Sequence, residues 1–207
     1  MAHWQESLMV WGPAWAAVRG LEGVAADNSV AITGFVSERL APWPGDGAEE
    51  HAGSVPEGTV LQLVTEDPQS AGQFAESLGF RPAGALVLLT AQTDDLEQVP
   101  SLPADAYVAE APMENYEAVE VALFDRPVAG GRIKLAEGLA VLGGLHVDDG
   151  HGEREGVFEQ AMAAALAEEA FLHGADVLFL VSDAAQAERF AAVDGWSKAA
   201  DILTFTR

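Results

Sequence analysis

Two stretches of this chain repeat one another, and that repetition limits the fold more than any other feature. Val60-Leu-Gln-Leu-Val-Thr-Glu matches Val177-Leu-Phe-Leu-Val-Ser-Asp at an offset of 117 positions, and Phe74 to Gly79-Phe80 matches Phe190 to Gly195-Trp196 at 116. Each copy reads as a buried strand, a short helix, a Gly-aromatic turn and a closing strand, with one residue lost in the second copy. Strands alternating with helices imply an α/β fold, and the duplication implies a tandem architecture. The polar stretch Ala91 to Ala104 carries Pro100 and Pro103 and separates the copies, giving a first half over 1–95, a linker over 96–104 and a second half over 105–207.

The remaining segments fill in around these units. Trp4, Leu8, Trp11 and Trp15 recur at three- and four-residue spacing, which predicts a helix from Trp4 to Arg19 stopped at Arg19-Gly20, with Pro13 as a kink or break. Asn28 to Val36 suits a strand, and the Pro- and Gly-rich stretch from Ala41 to Glu57 suits a loop. In the second half, Glu117 to Phe124 and Val128 to Ala136 read as a hairpin around Asp125-Arg-Pro.

Charge excludes several partners. The formal net charge is −23, from 33 Asp and Glu against ten Lys and Arg, of which only Lys134 and Lys198 are lysine. A surface this acidic repels nucleic acid and anionic membranes. The absence of cysteine removes disulfides, thiolate metal sites and cysteine nucleophiles. The first residues carry no basic leader, and no apolar run reaches the ~18 residues of a membrane span, so a cytoplasmic protein is expected.

Chemistry concentrates between Leu139 and Gly174. An apolar strand ending Leu145-His146-Val147 runs into the acidic turn Asp148-Asp-Gly-His-Gly-Glu-Arg-Glu-Gly156, then into an alanine-rich helix. Backbone N–H groups at such a helix start can face an anion. The order and spacing of Asp125-Arg-Pro-Val-Ala-Gly-Gly-Arg, this strand, turn and helix, Val177-Leu-Phe-Leu-Val and Phe190 to Trp196 resemble the GNAT (GCN5-related) N-acetyltransferases over about residues 105–207. The first half is similar to the back end of a second such unit. The resemblance implies a GNAT-like mixed, mostly antiparallel sheet flanked by helices, with acetyl-CoA as cofactor and a small amine as acceptor.

It also implies site residues. The main chain of Leu145, His146 and Val147 would orient the thioester, and amides around Arg154, Glu155, Gly156, Val157 and Phe158 would face the coenzyme A diphosphate. His146 is the candidate catalytic base, since imidazole is suited to exchanging a proton at neutral pH. Glu110 and Glu120 are the other candidates.

Four residues depart from the family pattern: Glu153 and Phe158 in the turn, and Ala184 and Ala191 where the family places an asparagine and a tyrosine acid. A carboxylate about 4 Å from a phosphate costs roughly 1 kcal/mol when hydrated and about 4 at an effective dielectric of 20. A competing expectation is therefore a degenerate GNAT that no longer binds coenzyme A and acts as a binding or assembly module. A third, a cation-dependent hydrolase, requires Asp148, Asp149, His151 and Glu153 to converge on one point. No metal is expected from the spacing. A homodimer by exchange of closing strands between chains stays open.

Overall fold

The computed structural model describes residues 3–96 and 100–207, so residues 97–99 of the expected linker lie outside the described residues. The elements run α1 (His3–Glu6), α2 (Leu8–Val18), β1 (Glu22–Ala26), β2 (Ser29–Thr33), β3 (Glu38–Trp43), α3 (Ala48–Gly53), β4 (Val60–Thr65), α4 (Pro68–Ser77) and β5 (Arg81–Gln92). The second half continues with β6 (Ala106–Pro112), β7 (Glu117–Leu123), β8 (Arg126–Ala136), β9 (Leu139–Val147), α5 (Glu155–Leu172), β10 (Val177–Ser182), α6 (Ala184–Ala191) and β11 (Ser197–Thr206). All the strands join one mixed sheet in the order β1-β2-β3-β4-β11-β5-β10-β9-β8-β7-β6. Among the described residues only β3 with β4 and β9 with β10 pair parallel; every other neighbour is antiparallel, as expected for this fold class.

The repeat governs this order. β4, α4 and β5 recur as β10, α6 and β11, down to the caps: Asp67 accepts from the Ser70 amide and Asp183 from the Gln186 amide, and Gly79 and Gly195 both take the left-handed turn conformation. The strand ends Thr65 and Ser182 keep the offset of 117 while the caps Asp67 and Asp183 keep 116, so the extra residue is Glu66. Glu66 accepts the indole N–H of Trp4 at 2.9 Å. The closing strands then change places. β5 pairs with β10 of the second half, β11 pairs with β4 of the first, and the two meet antiparallel at the centre with Leu86 opposite Ile202, which are repeat equivalents 116 apart. A pseudo-two-fold axis therefore passes through that pair, and the exchange occurs within one chain.

β10 is buried along its whole length, which is why it reads as an unbroken apolar run. Leu178 and Leu180 face the α5 side with Phe158, Met162 and Phe190, while Val177, Phe179 and Val181 face Trp11, Trp15 and the rest of α2. Each such side chain contributes roughly 1.5–3 kcal/mol by burial. The tryptophan stripe forms helix as expected, although the break falls at Ser7 and Pro13 sits inside α2. Helix α2 belongs to the first half by sequence but packs across β8 and β9 of the second.

Three expectations for the first half need correction. The stretch 41–57 is not wholly loop: it holds the end of β3 and the helix α3. The strand seen at 28–36 is β2, flanked by β1 and β3, whose Pro42 and charged start hide it in the sequence. The first half is also more than a back end, since a three-stranded meander precedes its parallel pair; what it lacks is a long crossover helix, α3 having six residues where α5 has eighteen. Among the described residues no helix is long and apolar enough to cross a membrane.

Candidate functional site

Parallel strands β9 and β10 stay paired only from Leu139 to Leu142 and from Val177 to Leu180. Beyond that point β9 runs on to Val147 and β10 to Ser182, and the two part. The divergence is favoured by the irregular pairing of β8 with β9, whose register shifts between Gly130 and Arg132, and by Gly144 at φ 63, a left-handed conformation that suits glycine. The sheet therefore splits, and main-chain groups of β9 line one side of the gap.

The gap is bridged on the α5 side. Leu145 is buried, and its carbonyl accepts from Gln186 Nε2 at 3.2 Å. The same amide donates to Glu159 Oε1 at 2.6 Å, and Arg189 grips Glu159 through Nε at 2.8 Å and Nη2 at 2.7 Å while reaching Glu155 Oε1 at 3.0 Å. Glu159 is 1% exposed, and these donors satisfy its buried carboxyl oxygens. The Glu159 hydrogen bond, then the other carboxylates, push the Arg189 guanidinium further toward its charged form, against the opposing effect of burial. Beside this network the buried Ser182 Oγ has no hydrogen-bond partner. Its counterpart Thr65 accepts from the Asp67 amide, a bond the shorter second copy does not make.

The residues expected around a diphosphate lie at different depths. Arg154 ends a 3-10 turn and is exposed, and the amides of Arg154 and Glu155 are taken by the carbonyls of His151 and Gly152. Gly156 is half-buried and Val157 exposed at the start of α5, while Phe158 is fully buried in the core between α5 and the sheet. Ala184 and Ala191 are exposed on α6. Among the described residues no three His, Asp or Glu side chains form a group able to hold a metal ion, so Asp148, Asp149, His151 and Glu153 do not converge.

The opposite face of the split is open. Ala109 pairs with Glu120, Glu120 with Gly130 and Gly130 with His146, so these residues form one row across β6 to β9 and share a face. With strands about 4.8 Å apart, Glu120 and His146 stand roughly 10 Å apart at their Cα atoms with a bare glycine between. The His146 ring lies over Gly130: a Cβ there would meet His146 Cε1 at 2.8 Å. His146 Nδ1 is 3.0 Å from the Gly144 carbonyl, a hydrogen bond that takes a proton on Nδ1 and leaves Nε2 of the neutral ring as the acceptor. Val147, one residue on, turns back to the α5-side core. Glu110 pairs with buried Val119 and so projects toward α5, away from His146.

This row floors a groove of about 590 Å³ whose lining includes Arg132, Tyr116 and Met113. Arg132 is half-buried; its Nη1 donates to the Val18 carbonyl at 3.0 Å, and its Cζ sits 4.7 Å from the centre of the Tyr116 ring. Sequence reasoning missed Arg132, Glu159, Gln186 and Arg189 as site residues. The available signal was chemical: a glutamate amid alanines on a buried helix face needs a cation, and Arg189 is the only base on α6.

No protein-family model matches the chain, and no curated protein sequence does. Solved structures do. A GCN5-related N-acetyltransferase from Kribbella flavida is 16% identical over 92% of this chain and 91% of its own, with a TM-score of 0.61. A GCN5-related N-acetyltransferase-like protein from Streptococcus suis is 12% identical over 94% and 92%, with a TM-score of 0.57. A tandem GNAT protein from the clavulanic acid biosynthesis pathway is 10% identical over 87% and 79%, with a TM-score of 0.54. At such identities the likeness is one of architecture, and it holds over most of the length of each chain: this chain has the fold of the GCN5-related N-acetyltransferases.

Proposed function

We propose that the chain is an N-acyltransferase that takes a small amine in the groove over β6 to β9 and an acyl thioester, acetyl-CoA, through the split between β9 and β10. One observation carries this reading: the groove sets Glu120 and His146 on either side of bare Gly130, with His146 on the stretch of β9 that has parted from β10. The Glu120 carboxylate attracts an ammonium, and His146 Nε2 takes its proton, leaving the amine nucleophilic. Donation from Nδ1 to the Gly144 carbonyl fixes the tautomer that can do this.

The donor side fits in part. Orphaned Ser182 Oγ and the Leu145 carbonyl suit the amide-bearing arm of coenzyme A, which supplies the activated acyl group. The diphosphate end does not fit, because Phe158 is packed into the core and Glu155 and Glu159 stand at the helix start.

A second reading has its own observation. The Gln186 bridge to Leu145, backed by buried Glu159, occupies the donor side, which favours a degenerate GNAT-fold module that does not bind coenzyme A. Calorimetric titration with acetyl-CoA separates the two, repeated on Gln186→Ala, with mass spectrometry of the products from a panel of primary amines. Under the first reading the wild type binds and acylates, and His146→Ala lowers kcat by about 100-fold. A wild type that neither binds nor acylates, with binding restored in Gln186→Ala, sinks the first reading and supports the second.

A further inference from the structure

The groove holds a cation that the acyl-transfer reading does not use. Arg132 is fixed from two sides, by the Val18 carbonyl and by the Tyr116 ring, yet no carboxylate of the described residues comes within ion-pair distance of it, Glu120 included. In a chain with 33 acidic residues and ten basic ones, a half-buried guanidinium in a groove without an acid partner is unusual. Its neighbour in the same groove, Arg19, is already paired with Glu38. A held, planar, unpaired guanidinium is suited to a carboxylate.

Register sets what else lies within reach. Arg132 pairs with Ala118, two residues along β7 from Glu120, so the guanidinium row and the Glu120-Gly130-His146 row are about 7 Å apart on one face. The groove thus offers a fixed positive group at one end and a carboxylate with an imidazole at the other. Ala118 and Ala111 continue the row of Arg132 across β7 and β6, and with Met113 they give that end of the groove an apolar lining.

We propose that the groove binds an amino acid with an apolar side chain, its carboxylate on Arg132 and its ammonium between Glu120 and His146. The claim that this amino acid is the acyl acceptor rests on the acyltransferase reading; the binding itself does not.

The test is calorimetric titration of the whole protein with L-leucine, with isoamylamine, which lacks the carboxylate, and with 4-methylpentanoate, which lacks the ammonium. The expected result is that leucine binds at least tenfold more tightly than either. Arg132→Gln should abolish the preference over isoamylamine, and Glu120→Gln the preference over 4-methylpentanoate. Equal binding of leucine and isoamylamine by the wild type overturns the proposal whether or not the variants fold. Arg132→Gln that melts like the wild type and keeps the preference overturns it as well. If leucine binds selectively but no acyl-leucine forms with acetyl-CoA, the acyltransferase reading has failed and the binding proposal stands. Acylation of amines at equal rates with and without a carboxylate would overturn the binding proposal and leave the acyltransferase reading in place.

Discussion

Glu159 shows how far burial can change the meaning of a residue. In the sequence it is one of five acids between Asp148 and Glu159, a cluster that suits a helix N-terminus because carboxylates there favour the dipole. In the fold it is 1% exposed and held by Gln186 and Arg189. Removing one partner of a buried pair leaves an uncompensated charge, so Arg189→Ala should cost about 3 kcal/mol in urea unfolding. Replacing both, as Glu159→Leu with Arg189→Leu, should bring stability back to within about 1 kcal/mol of the wild type. If the double variant is as weak as the single one, the network is not a closed unit. The row through Glu120, Gly130 and His146 was equally hidden, although His146 and Glu120 were both legible as candidates. Their juxtaposition depends on the registers of two strand pairs, both irregular, and no local pattern records that.

Among the elements, β6 and α5 share an acidic seam that makes stability depend on pH. Burial first, then Glu169, Glu117 and Glu168, raise the Glu110 carboxyl above its ordinary 4.5. His173, at the end of α5, is raised above its ordinary 6.5 chiefly by its hydrogen bond to the Glu169 carbonyl, opposed by burial and helped by the carboxylates of Glu169 and Glu117. A raised histidine stabilises the fold fully below its ordinary value and loses that contribution as pH rises through the raised one. A raised carboxyl destabilises the ionised form, and protonation relieves it as pH falls toward its raised value. Both have the same sign, so the thermal midpoint should climb as pH is lowered from 8 to about 5. His173→Gln should flatten the part of that climb above pH 6.5, and melts followed by circular dichroism at four pH values would show it. An unchanged slope would mean that general relief of the −23 charge, not this seam, sets the trend. The elements missed in the sequence have local causes: β3 carries Pro42, and α3 hides among glycines and prolines.

For the whole molecule, the exchange of closing strands decides what can fold alone. Residues 105–207 by themselves lack β5, which separates β10 from β11, and lack α2, whose Trp11 packs on Phe179 with ring centres 5.9 Å apart. The isolated second half would expose the buried edge of β10 and the apolar face beneath α2. We expect the full chain to unfold in one cooperative transition, and the 105–207 fragment to be insoluble or to lack one, with co-expression of 1–104 restoring it. A soluble fragment with its own sharp melt would show that the sheet is two stable units side by side.

The α/β class, the repeat and its offsets, the helix stop at Gly20, the central strand and helix, and the candidates His146 and Glu120 are legible in the chain alone. These are local or periodic properties, written in apolar spacing and turn residues that are read one segment at a time. Long-range packing sets the exchange of β5 and β11, the inward turn of Phe158 and Glu159, and the sharing of one groove by Arg132, Glu120 and His146. Each of those depends on which distant strand lies alongside which, and the pairing energy of two apolar strands is nearly the same for several partners. The choice falls to the packing of the whole sheet between α2 and α5, a quantity that no single stretch of sequence contains.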